Sequence, residues 1–200
     1  MKRRLFLMLA PALASLYGCS REEAAPSLKF EGVDLTGAPY ARSFSLTDQD
    51  GRVRSLADFK GKVVVVFFGF TQCPDVCPTT LVELAQVKKD LGADGDRVQG
   101  VFITVDPERD TPELLKPYVQ GFDPSFVALR GTPEQTRDVA KEFKVFYAKV
   151  PGSSSGTYTM DHTAASFIFD PLGRVRVFSR YGSGAQALAS DIKALLNEAR

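Results

Sequence analysis

The sequence predicts an α/β domain, a mixed sheet flanked by helices, and three observations predict it. Residues 63–68 and 98–105 are continuous runs of β-branched and aromatic side chains, the pattern of central strands covered on both faces. Apolar residues spaced three and four apart, first at Leu81, Leu84 and Ala85, give helical stretches between such strands. Near the end, two strands meet at the turn Asp170-Pro171-Leu172-Gly173 before a closing helix, so the sheet is mixed rather than wholly parallel. With 200 residues, 44% of them hydrophobic, the chain can bury one good core, and a single domain behind a short leader is expected. Its 25 basic side chains are nearly balanced by 24 acidic ones, which removes the overall field that nucleic-acid binding would use.

The leader comes first in the chain. Lys2, Arg3 and Arg4 precede an apolar run over 5–16, the pattern of a secretory signal. The run falls short of the ~20 residues that cross a bilayer as a helix, and Arg21, Glu22 and Glu23 end it. Leu16-Tyr17-Gly18-Cys19 resembles the bacterial lipobox, so Cys19 is expected to carry the lipid and residues 1–19 to form the leader. The mature protein is then exported and lipid-anchored to a bacterial membrane, facing the periplasm or the cell exterior, in an oxidising compartment. Residues 20–40, poor in large apolar side chains and carrying Pro26, Gly32 and Gly37, read as a tether, and 41–200 as the domain.

Within the domain, 43–46 and 53–55 predict a small hairpin around Asp48-Gln49-Asp50-Gly51, and 56–61 a helical turn. The strand over 63–68 delivers the chain to Cys73. A helix follows over 78–91, then the strand over 98–105, a helix over 112–121, a strand over 126–129 and a helix over 133–143. Strands over 164–169 and 175–179 and a helix over 184–199 complete the order. Ser153-Ser154-Ser155-Gly156 predicts a mobile loop just upstream of His162.

If Cys19 is lipidated, the mature domain keeps two of the three cysteines, Cys73 and Cys77, four apart between a strand end and a helix start. In open α/β sheets that edge is where ligands bind. Pro78 fits the first helical position, which places Cys77 at or beside the N-cap, where the helix dipole favours a thiolate. A spacing of four on a helical turn separates the α-carbons by about 6 Å, so the pair can close a disulfide or chelate a metal. A structural staple closing so short a loop would constrain the unfolded chain little. A redox pair and a metal site remain.

The single histidine bears on that choice. A lone histidine is ordinarily a satisfied surface or core residue. His162, however, immediately precedes the strand over 164–169, which in a thioredoxin-like sheet lies beside the cysteine-bearing strand. Two thiolates and an imidazole are a soft, low-coordinate set that selects copper(I), with nitrogen also acceptable to copper(II). Structural zinc would need a fourth ligand, available only from Asp75 or Asp161.

These residues resemble the Sco family, also called SenC, the copper proteins of cytochrome c oxidase assembly. The resemblance rests on Gly69-Phe70-Thr71-Gln72-Cys73-Pro74-Asp75-Val76-Cys77-Pro78, on Asp106-Pro107-Glu108-Arg109-Asp110-Thr111-Pro112 and on Asp161-His162-Thr163, and it spans residues 43–200. It implies a thioredoxin-like domain and one copper, Cu(I) or Cu(II), on Cys73, Cys77 and His162. It also implies a client, the dinuclear copper site of cytochrome c oxidase subunit II; a periplasmic copper donor protein would supply the metal. Where many of the family have a transmembrane anchor, this chain has the lipobox. The middle signature also reads structurally: Thr111 or Asp110 as N-cap, Pro112 at the first helical position and Glu113 in the first turn.

Two functions compete. A metallochaperone would accept copper in an exposed three-ligand site and pass it on by ligand exchange. A thiol-disulfide oxidoreductase would use Cys73 and Cys77 as a redox pair to keep the client's copper-ligand cysteines reduced. Only the first needs His162, and metal is expected to order the loop over 153–160 by drawing that residue in. A peroxidase, suggested by Thr71 two before Cys73, lacks the upstream proline of that class.

Overall fold

The computed structural model describes residues 28–199; the leader, Cys19 and residues 20–27 of the expected tether lie outside the described residues. In chain order the elements are β1 (Val33–Asp34), β2 (Leu46–Asp48), β3 (Val53–Arg54), β4 (Val63–Gly69), α1 (Val76–Asp90), β5 (Val98–Thr104), α2 (Pro112–Gln120), β6 (Val127–Arg130), α3 (Pro133–Glu142), β7 (Tyr147–Pro151), β8 (Tyr158–His162), β9 (Ala165–Phe169), β10 (Val175–Arg180) and α4 (Gly184–Glu198). Eight strands form one mixed sheet in the order β1-β10-β9-β4-β5-β6-β2-β3, and β7 and β8 pair separately as a ribbon.

The apolar runs become the centre of that sheet. Every residue of β4, β5 and β9 is buried. β5 runs parallel to β4 with Val66 opposite Val101, and β9 runs antiparallel to β4 on its other side with Val66 opposite Phe167. Side chains alternate between the two faces. Phe68 meets Phe143 and Phe167 on one face, while Phe67 meets Phe102, which in turn meets Tyr118 of α2, on the other. α1 and α4 pack against each other. Among the described residues no helix is long and apolar enough to cross a membrane.

Two turns repeat one device. Asp48 and Asp170 are both buried, and each receives backbone N–H groups two and four residues ahead on its Oδ1, at 2.9 to 3.0 Å. Each also receives an arginine Nε at 2.7 Å, from Arg54 and Arg174 respectively. Gly51 and Gly173 close the turns at φ +81° and +80°, a backbone region that costs glycine nothing.

One expectation needs correction. The described part of the tether, residues 28–40, does not stand free: β1 pairs with β10, and Asp191 of α4 accepts the N–H groups of Glu31 and Gly32 at 2.7 and 3.0 Å. Phe30, Leu35 and Tyr40 pack on the core, few enough apolar residues to escape a compositional reading. The loop expected before His162 forms the tip of the β7–β8 ribbon, two strands that were not foreseen, in which Tyr147 lies opposite His162 and Lys149 opposite Met160.

Candidate metal centre

The chain leaves β4 at Gly69 and turns at once, the Cys73 N–H donating to the Phe70 carbonyl at 3.2 Å. α1 starts at Val76, with Asp75 as N-cap, so Cys77 is the second helical residue rather than the cap. Pro78 is then the third. Proline is tolerated there for the same reason as at the first position, because the first-turn N–H groups have no partner within the helix. One of those orphan donors, the Cys77 N–H, points at Cys73 Sγ at 3.4 Å. The cysteine sulfur thus stands where a capping oxygen would.

His162 ends β8, and its ring packs edge-on between Phe67 and Phe70, with centroids 6.1 and 6.0 Å away. Its Nε2 lies 3.7 Å from Cys77 Sγ, and its Nδ1 lies 3.1 Å from the Thr163 carbonyl. A proton on Nδ1 satisfies that carbonyl and leaves the Nε2 lone pair facing the sulfurs, the arrangement typical of a ligating histidine. Burial holds the imidazole below its ordinary pKa and so in the neutral form that binds metals. Burial, and then the hydrogen bond with Cys73, push the Cys77 thiol far up, so that a metal entering here displaces its proton.

Among the described residues, Cys73, Cys77 and His162 form a cluster whose ligand atoms all lie within 4.8 Å of one another. With metal–ligand distances of about 2.0–2.3 Å, a small closing movement suffices to seat one ion between them. Asp75 and Asp161 do not join the cluster, which leaves the soft three-donor set. Both cysteines are free thiols, Cys73 half-buried and Cys77 buried. A shallow groove between the cysteine loop and the ribbon is lined by Cys73, Pro74, Met160 and His162, but not by Cys77.

The middle signature does more than cap α2. Thr111 is the N-cap but makes no side-chain capping bond. Asp110 instead turns toward the cysteine loop, accepting the Thr71 N–H at 3.1 Å and the hydroxyls of Thr71 and Thr104 at 2.6 and 2.5 Å. Burial pushes its carboxyl up, and those hydrogen bonds offset part of the rise. Asp106 binds Arg109 and the Tyr158 hydroxyl, so the same loop also grips the ribbon that carries His162. The sequence reading named Asp106 and Asp110 without these partners and gave Arg109 and Tyr158 no part in the site. The available signal was the charge density of Asp106-Pro107-Glu108-Arg109-Asp110 at the end of a buried strand.

A thioredoxin-like sheet with two thiols and an imidazole converging at the end of its central strand defines the molecule as a thiol protein built to hold a soft metal. The chain belongs to the SCO1/SenC family, whose model matches residues 33–197. The mitochondrial SCO2 homolog of Bos taurus is 43% identical over 146 residues, covering 72% of this chain and 54% of that protein. The chain thus spans about half the length of that relative. The structure of Bradyrhizobium japonicum ScoI with copper bound is 42% identical, covers 77% of this chain and 98% of its own, and superposes with a TM-score of 0.69. That of BsSco, described as having a disulfide switch and as a member of the Sco family of cytochrome c oxidase assembly proteins, is 26% identical over 78% of this chain and 93% of its own, with a TM-score of 0.59.

Proposed function

We propose that this chain is a copper metallochaperone of cytochrome c oxidase assembly, which receives one copper on Cys73, Cys77 and His162 and delivers it to the dinuclear copper site of oxidase subunit II. The observation that carries the reading is the convergence of these three soft donors within 4.8 Å, in a sheet like that of the copper-bound ScoI structure. Copper is cargo here. Cys73, half-buried and lining the groove, is the sulfur an incoming thiolate meets first, while the buried Cys77 holds the ion from below and His162 from the ribbon side of the groove. Three ligands leave room for a fourth to enter, so transfer proceeds by exchange, one client sulfur replacing one chaperone donor at a time. A periplasmic copper donor protein loads the site, and the lipid on Cys19 holds a domain formed by 41–200 at a bacterial membrane surface, the leader having been cleaved off just ahead of that cysteine. The edge strand β1 extends that folded unit back to residue 33.

The reading is tested on the reduced domain from about residue 25 onward by copper stoichiometry and visible absorption, in wild type and His162→Ala. One copper per chain, with a thiolate-to-copper(II) band that disappears in the variant, is expected. A band unchanged by His162→Ala removes the histidine from the site.

A second reading, a thiol-disulfide oxidoreductase that reduces the client's copper-ligand cysteines, is favoured by one contact. The Cys77 N–H donated to Cys73 Sγ would stabilise a thiolate on the more accessible sulfur. That thiolate would attack a client disulfide and release one client thiolate. Cys77, losing its proton, would then displace the second, so two electrons pass to the client as Cys73 and Cys77 join. Absence of tight copper binding, with a readily cycled Cys73–Cys77 disulfide, would select this reading.

A further inference from the structure

We propose that Arg109 is a positioning residue for the metal site, a latch that joins the loop carrying the cysteines to the ribbon carrying His162. The two halves also meet through β9, which follows His162 and pairs with β4, and through the packing of the His162 ring on Phe67 and Phe70, but the ribbon itself lies outside the sheet. Cys73 and Cys77 follow β4, whereas His162 ends β8, in a two-stranded ribbon that is not part of the main sheet. The guanidinium of Arg109 lies where they meet. Its Nη1 donates to Gln72 Oε1 at 3.0 Å, one residue before Cys73, and to the Tyr158 carbonyl at 2.8 Å, four residues before His162. Its Nε is held by Asp106, which is 1% exposed, and the second oxygen of that carboxylate accepts the Tyr158 hydroxyl at 2.9 Å.

Stacking adds to these bonds. The guanidinium sits 3.7 Å from the centre of the Tyr158 ring and 5.9 Å from that of Phe70, and Phe70 in turn contacts the His162 ring. Arg109 therefore touches a neighbour of each ligand segment and no ligand atom. Its Nη2 is buried without a hydrogen-bond partner among the described residues. An orphaned donor persists only where the remaining contacts fix the group, here a planar fork clamped between two loops and an aromatic face. Lysine carries the same charge but cannot bridge Gln72 and Tyr158 while stacking. Lys149, bonded to Glu108 at 2.7 Å, makes a more exposed second tie between the same loop and ribbon.

The test uses Arg109→Lys, with Tyr158→Phe as a milder companion that keeps the ring and removes only the bond to Asp106. Amide hydrogen exchange of the metal-free protein is measured first. In Arg109→Lys the amides of β7 and β8 are expected to exchange at least roughly tenfold faster while those of β4 and β5 stay protected, the mark of local opening. Copper affinity, for which the inference rests on the proposed function, is expected to fall roughly 10- to 100-fold, the usual cost of losing an outer partner of a metal site. The thiolate-to-copper(II) band should move toward that of His162→Ala, and the Cys73–Cys77 disulfide should form at the wild-type rate. Unchanged ribbon exchange, or a uniform rise across the whole sheet, overturns the latch. If wild type binds no copper, the proposed function fails, and the metal-free exchange still decides the role of Arg109.

Discussion

Gly69 shows how closely the site is fitted at the level of single atoms. A Cβ added there would lie 2.8 Å from Cys77 Sγ, 2.8 Å from the Phe102 ring and 2.9 Å from the Phe67 ring. Gly69→Ala is therefore expected to push the Cys77 sulfur off the His162 side, lowering copper affinity at least roughly tenfold and stability by about 1–3 kcal/mol, the usual cost of overpacking. Copper titration beside urea denaturation checks both, and unchanged copper affinity would show that the sulfur has room to spare. The convergence of Cys73, Cys77 and His162 was legible in the sequence because their chemistry is scarce in this chain: one histidine, and three cysteines of which two stand four residues apart. Arg109 was not, since charged residues are common and nothing in its spacing says that Tyr158, 49 positions away, will take up its guanidinium.

At the level of elements, the buried runs and turn signals identified β4, β5, α1, α3 and the β9–β10 pair to within a few residues. Thr132 and Gln135 make the reciprocal cap of α3 that Pro133 advertises. The ribbon escaped because β7 and β8 keep most residues exposed or half-exposed, so no clean apolar alternation marks them. Their Tyr, Val and Thr residues on either side of a Ser/Gly cluster were the hairpin signal that remained. Because the ribbon is already formed, with His162 Nε2 3.7 Å from Cys77, copper does not have to fold the segment that brings the imidazole in. Elsewhere, Phe143 at the end of α3 is fully buried against Phe68, Phe167 and Phe169. Phe143→Ala should cost about 3–5 kcal/mol, the loss typical of a buried aromatic. It should also leave the copper spectrum intact, because the ring lies on the sheet face away from Phe67 and His162; a shifted spectrum would mean that the two faces communicate.

For the whole molecule, acid stability follows from the paired turns. Burial alone would raise the carboxyls of Asp48 and Asp170, but their N–H and arginine partners outweigh it and hold both below the usual range. A carboxyl lowered by folding contributes stability that is fully present above its unfolded pKa of about 3.9 and is lost as pH falls through the folded value. The contribution of these two turns to the urea midpoint is thus expected to hold between pH 7 and 5 and to fall below about pH 4, whereas His162, whose pKa is lowered by burial, costs stability once pH drops below the ordinary imidazole value of about 6.5. Asp170→Asn should be about 1–3 kcal/mol less stable at neutral pH, through the weakened bonds to Arg174 and Arg176, and should show a shallower acid decline. An identical decline in the variant would assign the acid sensitivity to other groups. The topology also ties the site to the sheet. His162 comes 85 residues after Cys77, and its position depends on β9, the strand that follows it, taking its place beside β4. A half-folded chain therefore offers incoming metal two sulfurs and nothing more, so a filled three-donor site certifies that the sheet has closed.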